Sequence, residues 1–131
     1  MSATDTGNQK EQGNLLPESS TLAVKTISDV VKELVEVMDK EAHALIMNDG
    51  IALTSLDAEK DQLSVKYEQM AKEFRARGDE FKSVDNLLIG QLEKLQTALA
   101  EKTQTNMDTM DRIRAEKIIK GEIRVSSPDE D

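Results

Sequence analysis

The chain has 131 residues, with 26 Asp and Glu against 17 Lys and Arg, and a net charge of -9. This acidic balance argues against nucleic acid and against anionic membranes, which both attract basic surfaces. Cysteine is absent and aromatic residues are scarce, so we expect no disulfide framework and no large spherical core, but long helices with narrow apolar seams. No run reaches the roughly 18 apolar residues of a membrane span, and the N-terminus lacks a secretory pattern. These features together indicate a soluble, intracellular protein.

Residues 1–19 are rich in Ser, Thr, Gly, Asn and Gln and are predicted to be disordered. Leu15 and Leu16 are the main apolar interruption. Pro17 followed by Ser19 and Ser20 is a helix start signal, because either serine can accept a hydrogen bond from a free first-turn amide. The first helix is therefore predicted over residues 20–47.

The first two helices carry matching apolar stripes with alternating spacings of three and four residues. One stripe comprises Val24, Ile27, Val31, Leu34, Met38 and Leu45, and the other comprises Leu53, Leu56, Leu63, Tyr67, Met70 and Phe74. Each stripe has one break, at Glu41 in the first and Lys60 in the second. The second helix is predicted over residues 51–77, with Thr54 or Ser55 as its cap.

An Asn48-Asp49-Gly50 turn separates the stripes, and Gly50 is expected to end the first helix in a left-handed conformation. If the helices fold back on each other, facing residues have numbers that add to 101, and Glu41 faces Lys60. Two interpretations of this pair remain open. It is either an exposed pair at the edge of the seam, of little energetic weight, or a polar pair within the seam that fixes the register.

A third helix is predicted over residues 80–120, with Asp79 as its cap and Gly78 as either a turn or a kink. Its apolar face comprises Phe81, Val84, Leu88, Leu92, Leu95 and Leu99. If this helix folds back along the second, Leu99 lies level with Leu56 and the rest projects beyond the bundle. The predicted fold is all-α: an elongated antiparallel hairpin plus a long third helix, in one coiled-coil-like three-helix bundle over residues 20–120.

The projecting part of the third helix is the main functional candidate. After the polar run 101–106, apolar residues return at Met107, Met110, Ile113, Ile118 and Ile119, which we predict to bind a partner because an amphipathic stripe without a neighbour needs one. Methionine suits a surface that must accept an imperfectly fitting helix. The alternative is that this stripe packs on the first helix. Residues 121–131 are predicted to be an acidic disordered tail.

Nothing in the sequence indicates catalysis or a cofactor. His43 is the only histidine, and without cysteine it offers no convergent set of metal ligands. The many carboxylates lie on charged helices, where they usually form a solvated face, and no phosphate-binding loop or nucleophile elbow is present. We therefore expect a protein that is not an enzyme and that binds neither a metal nor another cofactor.

The hairpin resembles the FlgN family of flagellar type III export chaperones. The matching elements are Val37-Met38-Asp39 followed by Glu41 and Leu45, then Glu59-Lys60 followed by Leu63, with Arg75 or Arg77 downstream. The resemblance covers about forty residues and includes both charges that break the stripes. Of the family's usual asparagine-containing stretch late in the chain, only Asn106 is represented.

The resemblance implies a cytoplasmic chaperone that binds hook-associated proteins, which join hook to filament, before their secretion. It also implies that a C-terminal amphipathic helix, here Met107 to Ile119, holds the helical region of these partners, and that the complex then docks at the export gate. The sequence leaves two rivals open. One is a structural or adaptor coiled coil that self-associates through its third helix, and the other is a membrane-surface protein, since the last helix is locally basic. The chaperone itself is expected to be a monomer or a weak dimer.

Overall fold

The structure is a computed structural model that describes residues 14–121. The elements in this range are all helical: α1 spans Ser20–Met47, α2 spans Gly50–Ala76, a short 3-10 helix spans Gly78–Ser83, and α3 spans Asn86–Ile119. The three long helices pack into a bundle. The all-α prediction is therefore confirmed, with the second and third helices beginning at other residues than the sequence indicated.

Helix α1 is the centre of the bundle. It packs against both α2 and α3, whereas contacts between α2 and α3 are sparse. A helix with two neighbours needs a wider apolar surface than a helix that packs along one seam. Helix α1 has such a surface, because a further column of buried residues lies beside the predicted stripe. This column has a seven-residue spacing and comprises Ala23, Val30, Val37 and Ala44.

The hairpin turn uses different residues from those expected. Asn48 ends α1 in the left-handed conformation, with φ of 56°, which asparagine tolerates better than most residues. Asp49 then caps α2 by accepting the backbone N–H of Ala52 at 3.0 Å. The predictions for Gly50 as the left-handed residue and for Thr54 or Ser55 as the cap are thus wrong, because Asn48 and Asp49 already satisfy both helix ends.

The segment before α1 is held in place by α2. Leu16 is buried in the core, the Glu73 carboxylate accepts the N–H groups of Leu15 and Leu16, and Arg77 donates to the carbonyls of residues 17 and 18. Disorder was predicted up to residue 19 and is wrong for residues 14–19, because burial of Leu16 and five charge-assisted bonds hold them. The predictions for 1–13 and 122–131 lie outside the described residues.

The chain reverses direction between α2 and α3 through the 3-10 helix, so Gly78 lies in a turn and not in a kinked continuous helix. Phe81 is buried in this turn and stacks on Phe74, with ring centroids 4.1 Å apart. Asp85, not Asp79, caps α3 by accepting the N–H of Leu87 at 2.9 Å. Because the turn takes up the residues as far as 85, α3 begins six residues later than predicted.

Candidate partner-binding site

The contacts between α1 and α3 show where α3 leaves the bundle. Lys102 forms an ion pair with Asp39 at 2.8 Å, and Asn106 bonds the backbone carbonyl of Met38 and the carboxylate of Glu41, both at 2.9 Å. These partners differ by 63 to 68 in residue number, which places Met47, the end of α1, level with residues 110–115. Helix α3 therefore extends past the hairpin by roughly one to two turns.

The prediction that Leu99 lies level with Leu56 is therefore wrong. Gln96 donates to the Tyr67 hydroxyl at 3.0 Å, so Leu99 lies well below Leu56 and packs against the core. This contact places Leu99 about eight residues lower than predicted, or about 12 Å at about 1.5 Å per residue, and the late start of α3 accounts for most of the difference. The part of the chain that projects begins near Arg112, and not directly after Leu99.

A polar layer, formed by Glu41, Lys60 and Asn106, lies inside the bundle just below the hairpin turn. The Glu41 side chain is 3% exposed and its two oxygens have separate partners: Lys60 donates to one at 2.8 Å and Asn106 to the other at 2.9 Å. The contact between Glu41 and Lys60 expected from the register is present. Burial favours the second interpretation of the pair, a polar contact within the seam.

Asn106 is the member of the polar layer that sequence reasoning missed. It is 3% exposed and follows Leu92 and Leu99 at seven-residue intervals, so it occupies a position where α3 otherwise buries leucine. That interval was the available signal. The polar run 101–106 conceals this interval, because a stretch without apolar residues usually indicates a solvated segment.

The predicted binding stripe divides into two parts. At about 100° per residue, Met107, Met110, Ile113 and Ile118 fall within one arc of roughly 140°, on the side of α3 that bonds the hairpin through Gln96 and Asn106. Ile119 lies outside this arc and is 83% exposed. Met107 is 49% exposed, and Met110, Ile113 and Ile118 are half-buried. The structure thus places four of the five residues on a common surface, which we call the apolar arc.

The column that faces α1 continues into the projecting part of α3. Ile113 follows Asn106 by seven residues and therefore lies in line with the residues that α3 packs against α1, at the level where α1 ends. Between Arg112 and Gly121 four cations accompany one acid. None of these cations pairs with a carboxylate among the described residues. We call this segment, residues 112–121, the overhang.

A second apolar surface lies at the hairpin turn and was also missed from the sequence. Ile46, Met47 and Ile51 are 77%, 62% and 87% exposed, and we call these three residues the hairpin tip. They fall outside the three-and-four spacing of the two stripes, which is the signal that could have identified them. Three large apolar side chains exposed within six residues are typical of a binding surface rather than of scattered surface residues.

Grouped metal ligands and membrane-spanning helices are two further features that the described residues lack. Within residues 14–121 no group of three or more His, Cys, Asp or Glu side chains is placed to hold a metal ion, and His43 is exposed on α1. No described helix has the length and apolar character needed to cross a bilayer.

The fold and this surface define a three-helix bundle with an extended, partly uncovered third helix. A scan of protein-family models and searches of curated proteins and solved structures found no match to this chain.

Proposed function

We propose that this protein is a cytoplasmic flagellar export chaperone of the FlgN type, which binds hook-associated proteins and keeps them unassembled before type III secretion. The observation that carries the proposal is the continuation of the apolar arc from Ile113, at the level where α1 ends, to Ile118 beyond it. A helix from another protein that packed above the end of α1 would cover the part of these two side chains that is still exposed. The resemblance of the hairpin residues to that family supplies the identity of the partner.

The proposed mechanism requires binding and release only. The apolar arc covers an assembly-competent helix of the client, which prevents premature polymerisation and proteolysis. Amphipathic helices commonly bind in this way, with apolar anchors spaced by three and four residues in a groove. Delivery to the export gate then releases the client, and the chaperone hydrolyses nothing.

A binding titration tests this proposal. The full chain and a variant with Ile113→Ser and Ile118→Ser are titrated with purified hook-associated proteins, and we expect the substitutions to weaken binding by more than about tenfold. Val65→Ser is the matched control, since Val65 is 69% exposed on α2, away from the apolar arc. Thermal melts should agree among all three proteins. Equal affinities of the full chain and the double variant, or no binding at all, would refute the proposal.

A further inference from the structure

Two apolar surfaces, one exposed and one half-buried, lie at the same end of the molecule. The hairpin tip presents Ile46, Met47 and Ile51 at the turn, and the overhang carries Ile113 and Ile118 just beyond it. Helix α3 is unbroken through Ile119, so its overhang continues past the tip and does not fold back onto it. Within one molecule these surfaces therefore lie next to each other without covering each other.

A groove in the surface of the bundle lies beside the hairpin tip. It has a volume of about 710 Å³ and is lined by residues from the end of α1 and the start of α2. Its apolar lining comprises Ala44, Met47, Ala52 and Leu56, and carboxylates at its rim include Asp49 and Glu59. An apolar floor with a charged rim fits an amphipathic helix.

The charges of the groove and of the overhang are complementary. The groove is lined by the carboxylates of Asp39, Asp49 and Glu59 and by one lysine, Lys40, whereas four cations and one acid lie between Arg112 and Gly121. The cations of the overhang form no ion pair within the described residues. Complementary charge favours a specific partner and orientation and accelerates association at low salt.

We propose that two copies of this chain associate tip to tip, with the overhang of each copy lying in the groove beside the hairpin tip of the other. Such an arrangement is two-fold symmetric and self-complementary, and it contains two equivalent contacts. It covers the three exposed residues of the tip together with Ile113 and Ile118 of the overhang, which are half-buried within one copy. Its small surfaces make it a weak, reversible dimer.

This dimer also bears on the site of the proposed function. The second copy covers Ile113 and Ile118, to which the proposed function assigns the client, so client and second copy compete. This regulatory consequence rests on the proposed function. The tip-to-tip contact itself does not, because it follows from the exposure and charge of residues in this chain alone.

Mixing two single-surface variants tests the contact. Sedimentation velocity of the full chain, from about 5 to about 500 µM to bracket a weak interface, should show a reversible dimer that weakens as salt is raised. A tip variant with Ile46→Ser and Ile51→Ser and an overhang variant with Ile113→Ser and Ile118→Ser should each stay monomeric. An equimolar mixture should regain association, because the intact tip of one variant meets the intact overhang of the other.

The control variant carries Val65→Ser and Leu87→Ser, two residues that are 69% and 66% exposed away from the tip, and should dimerise like the unmodified chain. A full chain that stays monomeric at every concentration would mean that another molecule, or the chain's own residues 122–131, covers these surfaces, and would overturn the inference. Dimerisation of the tip variant, or a mixture without association, would overturn it as well.

Titration of the tip variant with hook-associated proteins separates this inference from the proposed function. If competition occurs, the monomeric tip variant should bind the client at least as tightly as the full chain does. A dimer without any client binding would leave the tip-to-tip contact standing and refute the chaperone function. Client binding without a dimer would refute the contact alone.

Discussion

The side-chain amide of Asn106 on α3 donates to the carboxylate of Glu41 on α1, which also accepts from Lys60 on α2. One buried carboxylate therefore joins all three long helices at a single level. A buried polar contact opposes sliding of helices, because any shifted register leaves a charge without its partner. The polar layer thus fixes where α3 lies along the hairpin, and hence how much of α3 projects beyond it.

Removing the Lys60 cation from the polar layer should lower the free energy of unfolding. Lys60→Leu leaves the Glu41 carboxylate, 3% exposed, with Asn106 as its remaining side-chain donor, and loss of one partner of a buried pair costs about 3 kcal/mol. We expect the free energy of unfolding in urea to fall by about that amount. Lys66→Leu on the exposed side of α2 is the control and should change it by less than about 0.5 kcal/mol. Equal effects would mean that the pair contributes only as a surface ion pair does.

Replacing the whole polar layer should have the opposite result. When Glu41, Lys60 and Asn106 all become leucine, no buried polar group is left unsatisfied and apolar contacts take their place. Such replacements are often neutral or stabilise by about 1–4 kcal/mol. We expect a melting temperature equal to or above that of the original chain. A triple variant less stable than Lys60→Leu would show that the layer contributes net stability as well as register.

The sequence predicted the seam and its register because these depend on spacing alone. Glu41 and Lys60 each interrupt an apolar stripe, and only one turn position brings them face to face. Spacing did not indicate in the same way which of the three helices packs against both others. The column of Val and Ala residues that includes Val30 and Val37 could belong to one wide seam or to a second neighbour, and only the positions of α2 and α3 show that α1 packs against both.

The differences between the predicted and the observed helix ends have a common physical origin. Asn48, Asp49 and Gly50 are all turn formers, and so are Gly78, Asp79 and Asp85 within the next break. Propensity does not tell which residue takes the left-handed conformation and which one caps. That choice depends on the tertiary position of the turn, for example on the burial of Phe81, which holds the 3-10 helix in the core.

Substitutions in the hairpin turn should follow the observed conformations. Gly50 lies in the first turn of α2 without positive φ, and an added Cβ would meet nothing within 4 Å. Gly50→Ala should therefore stabilise the protein by about 0.5–1 kcal/mol, since it restricts the unfolded chain. Asn48→Ala should destabilise it by about 1 kcal/mol, because alanine resists the left-handed conformation. Urea unfolding of both variants checks the signs, and reversed signs would place the left-handed residue at Gly50.

The segment before α1 should come loose when its carboxylate is removed. The two carboxylate oxygens of Glu73 share the N–H of Leu15, and one of them also accepts the N–H of Leu16. Both N–H groups lose this acceptor in Glu73→Ala. We expect the amide hydrogens of both leucines to exchange more than about tenfold faster, with a loss of stability of about 1–3 kcal/mol. Glu68→Ala, an exposed position on the same helix, is the control. Unchanged exchange would show that burial of Leu16 alone holds the segment.

Two truncations should show where α3 stops contributing to the bundle. A chain that ends at Asp111 keeps Lys102 and Asn106 with their partners on α1 and loses only the overhang, so its stability should lie within about 1 kcal/mol of the full chain. A chain that ends at Leu99 removes both contacts and leaves Glu41 with Lys60 alone. This loss should lower the free energy of unfolding by about 3 kcal/mol or more, because the buried Glu41 carboxylate loses one hydrogen-bond donor and part of the protein that shields it from water.

Urea unfolding followed by circular dichroism measures both truncated chains against the full one. If the chain ending at Asp111 were as unstable as the shorter one, the overhang would have to pack on its own bundle, and the apolar arc would not be free for a partner. If instead the chain ending at Leu99 were as stable as the full protein, the polar layer would not hold α3 in place. The expected order, with most of the loss between the two end points, follows from a helix that is fixed at Asn106 and uncovered beyond Asp111.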